Sequence, residues 1–233
     1  VVRLHTVDST NAEAWRRTGR PAEAGLVVWA RRQEQGRGRH GRGWVSPPGN
    51  LYASVVRPAA RDGHPALEVF RAGICLVEAI LEVTGQRVAA RLKWPNDVVV
   101  GGRKLAGILA ETAPERAAAV VGTGVNLVSH PSSTSLPATD LSQAGAPGVR
   151  PAGLLAAYLG RLADRAALGP ARILDRWREL ALPAGTPFRV RLGADEVRGA
   201  FAGIDRDGAL LLDLADGGQR RIVAGDAFPE LGS

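Results

Sequence analysis

Apolar residues recur along this chain with two different periods. Early on they form short β-prone runs, Val1 to Thr6, Leu26 to Ala30 and Leu51 to Val56, each of a length and composition that predicts a strand. Between the first two, Asp8-Ser9-Thr10-Asn11 offers N-cap candidates for a helix through Ala12–Arg17, with Gly19 as its stop. His64-Pro65 opens a long helix that ends at Gly85, in which Leu67, Phe70, Ile74, Val77 and Leu81 return at helical spacing. That stripe predicts one face packed on a sheet. Arg91-Leu92 lead into a break at Lys93-Trp94-Pro95. Val98–Val100 and Leu105–Ala110 flank Gly101-Gly102-Arg103 in the pattern of a hairpin, and Ala117–Val125 reads as a further strand.

Residues 129–150, rich in Ser, Pro, Ala and Gly, read as a mobile loop. Leu155, Leu159 and Leu162 share one helical face, and Ile173, Leu174 and Trp177 mark another helix. After Pro183 the texture changes to short alternating runs at Phe188–Leu192, Glu196–Ile204, Ala209–Leu214 and Arg220–Val223. Turn signals at Gly193, Asp207-Gly208 and Gly217-Gly218 separate these runs, which together predict a small barrel. The organisation expected is a mixed α/β domain over residues 1–182 and a compact all-β module over 183–233, with no internal repeat. A module of roughly 50 residues needs a neighbour's support to be stable.

Composition narrows the class. The 233 residues are 45% hydrophobic and 23% charged, ordinary values for a globular protein with a real core. A net charge of +7 favours acidic partners such as nucleotides, nucleic acid or an acidic protein. Cys75 is the single cysteine and lies in an apolar helical pattern, so it reads as a buried, inert thiol, and no Cys/His cluster suggests zinc. There is no charged-then-apolar leader and no long apolar run, which points to a cytoplasmic protein that does not span a membrane.

The basic residues are unevenly chosen. Of 30 Lys plus Arg only Lys93 and Lys104 are lysine, eleven positions apart. In so Arg-biased a chain they suggest positions that need a compact point charge on a flexible stem. Upstream, Gln33-Glu34-Gln35-Gly36-Arg37-Gly38-Arg39-His40-Gly41-Arg42-Gly43-Trp44 interleaves glycines with arginines and closes on an indole. Glycines let backbone N–H groups converge on an anion, and Arg37, Arg39 and Arg42 add donors matched to phosphate or carboxylate. Trp44 can stack on a purine or cover a guanidinium. The run matches neither a Walker A loop nor the dinucleotide fingerprint; it reads as a cover that cradles a polyanion.

Five motifs then fall in order: Ser9-Thr10-Asn11, the Gly36–Arg42 loop, Lys93-Trp94-Pro95-Asn96-Asp97, Lys104-Leu105-Ala106-Gly107-Ile108-Leu109-Ala110-Glu111 and Gly122-Thr123-Gly124-Val125-Asn126-Leu127. Together they resemble the bacterial biotin protein ligases, and the terminal strands resemble that family's SH3-like β-barrel. The resemblance implies a mixed-sheet catalytic domain of the class II synthetase-like type, shared with lipoate ligases. It implies a reaction in which the biotin carboxylate attacks the α-phosphate of ATP to give biotinyl-5′-AMP. A lysine of a biotin carboxyl carrier domain, part of a biotin-dependent carboxylase, then attacks the anhydride. Lys93 and Arg39 would be catalytic. Ser9, Thr10, Asn11, Gln33, Arg37, Gly38, Arg39, Lys93 and Gly107 would hold biotin, with Gly107 letting the backbone approach the bicycle. Arg39, Arg42, Trp44, Asn96, Lys104 and Asn126 would hold ATP. Mg²⁺ would accompany ATP with no ligand assigned, and a homodimer is compatible with the family.

Simpler readings remain beside these. Ser9 and Thr10 are natural helix caps; Trp94-Pro95 shape a turn, Asp97 ends a loop, Gly122 and Gly124 permit close packing, and Lys104 is a hairpin charge. The loop is expected to be mobile when empty and to order over the adenylate. Glu34-Gln35 stands where Thr-Ala is usual, either tuning loop opening or pointing to solvent. The catalytic signature begins at Asp8, so the chain is expected to ligate without a helix-turn-helix repressor domain and without binding DNA. The rivals are a lipoate or octanoate ligase, and a basic nucleic-acid-binding module, which the 5% aromatic content disfavours.

Overall fold

The computed structural model describes residues 1–19, 24–58, 65–113 and 117–230. Two sheets organise them. The first is mixed and seven-stranded, in the order β1-β2-β3-β7-β6-β5-β4. Its strands are β1 (Val2–Val7), β2 (Val27–Gln33), β3 (Leu51–Pro58), β4 (Arg91–Lys93), β5 (Asp97–Val100), β6 (Arg103–Ala113) and β7 (Ala118–Val125). β1 and β2 run parallel, and the other neighbours are antiparallel. The second sheet is antiparallel, in the order β11-β10-β9-β8-β12, from β8 (Pro187–Leu192), β9 (Asp195–Ile204), β10 (Leu210–Asp213), β11 (Gln219–Ile222) and β12 (Asp226–Pro229). This is the expected mixed α/β domain with a small SH3-like β-module behind it.

Period-two alternation sends successive side chains to opposite faces of the large sheet. On β3, Leu51, Ala53 and Val55 join the main core, whereas Val56 packs with Ala14, Val28 and Val120 in a second cluster under helix α1 (Thr10–Arg17). The main core lies beneath α2 (Pro65–Val83), α3 (Pro151–Asp164) and α4 (Pro170–Leu180). His64 lies outside the described residues, and Pro65 opens α2. The stripe on α2 predicts one packed face; instead every residue from Arg71 to Ile80 is buried, because α3 and α4 cover the side turned away from the sheet. Cys75 sits within this helix, where burial pushes its thiol up to about 12. No helix among the described residues is long and apolar enough to cross a membrane.

The two sheets share one core. Phe70 of α2, Trp177 of α4, Phe201 of β9 and Phe188 of β8 form a chain of ring contacts with centroids 5.2, 6.4 and 5.4 Å apart. Trp94 Nε1 donates to the Gly208 carbonyl at 3.0 Å, so the indole of the Lys93-Trp94-Pro95 turn ties β4 to the second sheet. This shared core gives the small second sheet the neighbouring support expected for its size. Residues 129–150 contain neither helix nor strand up to the start of α3, yet Leu136, Ala138, Thr139, Asp140, Leu141 and Ala146 are buried. His130 Nδ1 also meets Asp140 Oδ2 at 2.8 Å.

Candidate active site

Strand register aligns the chemistry. Lys93 pairs with Asp97 across β4 and β5, Asp97 with Gly107 on β6, Gly107 with Gly124 on β7, and Gly124 with Tyr52 on β3. These residues therefore form one row across five strands, on the face that α1 covers over β2, β3 and β7. Charge sits at one end of the row and bare backbone in the middle. The indole of Trp44 fills the space over the glycines: a Cβ on Gly124 would come within 2.6 Å of it, and one on Gly107 within 2.9 Å. The Gly107 clearance, expected to admit the biotin bicycle, is occupied here by this ring. Gly122 and Gly124 do permit close packing as anticipated, and the partners are side chains of the site itself, Asn11 and Trp44.

Lys93 is 4% exposed and Asp97 7% exposed. Lys93 Nζ donates to Asp97 Oδ2 at 2.8 Å, and Lys104 Nζ lies 2.6 Å from Oδ1, off the line of a hydrogen bond. Burial would raise the Asp97 carboxyl, but the two ammonium groups, Lys104 ahead of Lys93, overcome it and hold it well below the usual carboxylate range. Burial pulls Lys93 below its ordinary value, opposed by Asp97. Asp97 thus does more than end a loop: it gathers the chain's two lysines at one point. Lys104 also lies 5.3 Å from the Trp44 ring centroid.

The Gly/Arg loop arches over this row, with a tight turn at Arg39–Gly41 where His40 takes φ 55°. Each arginine is held at its tip. Arg37 pairs with Glu111 at 3.2 Å, Arg39 donates to the Gly225 carbonyl at 3.4 Å, and Arg42 pairs with Asp226 at 2.7 Å. Burial lowers Arg39 from its ordinary value, with Asp226 and Asp97 opposing. Two of these three anchors come from the second sheet, at and beside β12. Glu34 and Gln35 are exposed, and their N–H groups bond the Val7 and Asp8 carbonyls, which resolves that alternative toward solvent.

Ser9 occupies the N-cap position of α1, yet its side chain does not cap. Gln33 does that work from β2, accepting from Thr10 N–H at 2.8 Å with Thr10 Oγ1 3.0 Å away, and Gln33 Nε2 donates to Ser46 at 3.0 Å. Asn11 donates to Glu111 at 3.0 Å. Asn96 donates to the Ile108 carbonyl at 2.8 Å, and Asn126 to the Thr139 carbonyl at 3.0 Å.

A cavity of about 410 Å³ joins these elements, and every residue assigned from the sequence to biotin or ATP lines it. Asp97, Asp226 to Phe228, Pro131 and the Ser133–Leu136 stretch line it too, and the sequence reading missed these. Asp97 carried a signal, an acid set between the only two lysines; β12 is four residues long and carried none. The buried Trp44 indole N–H lacks a hydrogen-bond partner among the described residues, a donor that an entering acceptor would satisfy. No group of three His, Cys, Asp or Glu able to hold a metal occurs among the described residues. The cavity carboxylates Asp97 and Asp226 are each already matched to a cation.

Comparison with known proteins agrees with this geometry. Residues 4–127 match the biotin/lipoate A/B protein ligase family, and residues 185–228 match the biotin protein ligase C-terminal domain. The chain is 36% identical to a biotin–[acetyl-CoA-carboxylase] ligase of Paracoccus denitrificans, over 97% of this chain and 98% of that one. It superposes on a biotin protein ligase from Aquifex aeolicus in complex with biotin and ATP with a TM-score of 0.82 at 26% identity, covering 97% and 96% of the two chains. A Leishmania major biotin protein ligase in complex with biotinyl-5-AMP gives 0.67 at 26%, covering 96% and 98%. A lysine pair on one buried carboxylate, an arginine cover and these likenesses lead to one statement: the chain belongs to the biotin protein ligase family.

Proposed function

We propose that the chain activates biotin with ATP to biotinyl-5′-AMP and transfers the biotinyl group to a lysine of a biotin carboxyl carrier domain of a carboxylase. The observation that carries this reading is the meeting of both lysines on Asp97 at the floor of a cavity roofed by Arg37, Arg39 and Arg42. In the first step a carboxylate oxygen attacks an anionic α-phosphorus, the O–P bond forms, and pyrophosphate leaves. Two anions must approach, and fixed cations in a water-poor site offset their repulsion at the transition state. Lys93, held ready by Asp97, would lie at the carboxylate and α-phosphate, with Arg39 beside it. Arg37 would cover the carboxylate, and Arg42 the distal phosphates once it exchanges Asp226 for them. Ser9, Thr10, Asn11 and Gln33 would read the ureido ring, while Trp44, Asn96, Lys104 and Asn126 would line the nucleotide end.

In the second step the neutral carrier amine attacks the anhydride carbonyl, the amide forms, its proton passes to water, and AMP leaves. Mg²⁺ would arrive bound to the ATP phosphates, since the cavity carboxylates are already engaged with cations. Residues 1–182 would carry the chemistry, and 183–233 would brace the loop through Gly225 and Asp226. A homodimer would pair through β1, hydrogen-bonded to β2 alone among the described strands, whereas the β4 edge is covered by a bridge from Leu92 to Ala181. The cytoplasm, where ATP and carboxylases meet, is the compartment this reaction requires. Pyrophosphate release with ATP and Mg²⁺, run with biotin, lipoate or no acid, tests the reading. Release with biotin alone is expected; release driven by lipoate, or by neither acid from folded protein, would overturn it.

A further inference from the structure

Ser54 lies in the middle of β3, fully buried, and does not line the cavity. It faces Gly122 across the β3–β7 ladder. A side chain at Gly122 would collide with Asn11 Oδ1, so the glycine opens the path by which the Asn11 amide reaches Ser54. Ser54 Oγ lies 2.6 Å from Asn11 Oδ1 and 2.7 Å from Thr10 Oγ1. Two lines of polar contacts leave this point, the second ending in an ion pair. One passes through Thr10 to Gln33, Ser46 and the Trp44 carbonyl. The other passes through Asn11 to Glu111 and then Arg37. Both limbs of the Gly/Arg loop are thereby referred to one hydroxyl.

The protons in this cluster do not match its contacts. The amide orientation of Asn11 is set by Glu111, since its Nδ2 must face the carboxylate and its Oδ1 therefore faces Ser54. Ser54 to Asn11, Ser54 to Thr10 and Thr10 to Gln33 are three oxygen–oxygen contacts, and only the two hydroxyls can supply protons to them. One contact is always without a proton, so the cluster has acceptor capacity to spare. A ring that brings N–H donors, such as a cyclic urea, complements that surplus; a dithiolane ring brings none.

We infer that Ser54 is a positioning residue for the ring end of the acid substrate. Its hydroxyl orients Thr10 and Asn11 so that their spare acceptor capacity meets N–H donors. This rests on reading the cavity as a biotin site. The test measures KM for biotin and for ATP separately, by pyrophosphate release, in the wild type, Ser54→Ala and Ser54→Cys. Losing one buried hydrogen bond of this kind predicts a rise of roughly tenfold in biotin KM for Ser54→Ala, with ATP KM and kcat within about twofold of wild type. Ser54→Cys, of similar size and with a weaker donor, is expected to fall between, and it carries the test if the alanine variant does not fold. An unchanged biotin KM, or parallel losses in both KM values and kcat, would overturn the assignment and leave Ser54 a packing residue. A wild type without biotin-dependent release would instead sink the biotin reading, and this inference with it.

Discussion

Replacing Asp97 by asparagine keeps the shape of the side chain, removes its charge and turns one acceptor oxygen into a donor. The carboxylate holds one ammonium at 2.8 Å and a second at 2.6 Å, and Lys93 is almost wholly shut off from water. Without it two cations face one another, one of them with no route to solvent. Removing one partner of a buried ion pair costs about 3–5 kcal/mol. Lys104 has side-chain exposure of 26% and can turn outward, which places the expected loss near the lower end, about 3 kcal/mol. For a chain of this length that corresponds to a fall in Tm of about 6–12 °C. The loss carries a pH signature. The folded-state pKa of Asp97 lies well below its unfolded value of about 3.9, so its contribution is fully present above that value and drains away as pH falls toward the folded pKa. Urea unfolding of both proteins at pH 7 and pH 3 should show a gap of about 3 kcal/mol at the higher pH, narrowed by about 1 kcal/mol at the lower. Activity should follow in the opposite sense of pH. Deprived of its counter-charge, Lys93 falls further below its ordinary value, and biotin-dependent pyrophosphate release by Asp97→Asn, relative to wild type, should decline from pH 6 to pH 9. A gap under about 1 kcal/mol at pH 7, or the same gap at both pH values, would refute the view that Asp97 organises the lysine pair.

Gly124→Ala would set a methyl against the Trp44 indole, and displacing the ring should raise ATP KM roughly tenfold while costing about 1–3 kcal/mol of stability; steady-state kinetics and thermal melting read the two effects. Asp226→Asn releases a half-exposed ion pair, so stability should change by less than about 1 kcal/mol. Tryptic cleavage at Arg37–Arg42 of the empty protein should nonetheless quicken, and biotin plus ATP should suppress it; equal cleavage in variant and wild type would leave the Arg42 anchor without effect. Trp177→Ala removes the ring that joins α2 and α4 to β9 and should cost about 3–5 kcal/mol in urea unfolding, with the second sheet loosening along with the first. Separate transitions for the two sheets in the wild type would contradict a shared core.

Elements whose pattern is local were legible. β2, β3, β7 and the β5–β6 hairpin follow from apolar runs and from Gly101-Gly102, which take φ of 54° and 73° as that turn requires. β4 and β12, of three and four residues, are too short to show a period, and they are the strands that deliver Lys93 and Asp226. The cap at α1 misled for a related reason. Ser9 has the right identity and place, but the acceptor for the Thr10 N–H comes from Gln33, twenty-three residues on, and no local rule looks that far.

The sequence by itself settled which residue types this protein brings to its chemistry: two lysines reserved in an arginine-rich chain, a cationic glycine loop, an indole, and glycines at Gly107, Gly122 and Gly124. It also settled the class of fold, because periodicity records which face of each element is apolar. Tertiary structure alone decided how those parts meet. The row from Lys93 through Asp97, Gly107 and Gly124 to Tyr52 exists only once five strands are in register. The loop gains its anchors for Arg39 and Arg42 only when the second sheet packs behind the first and presents Gly225 and Asp226. Register and docking are set by the fit of whole apolar faces, a sum over many distant contacts, so no short stretch of the chain contains them.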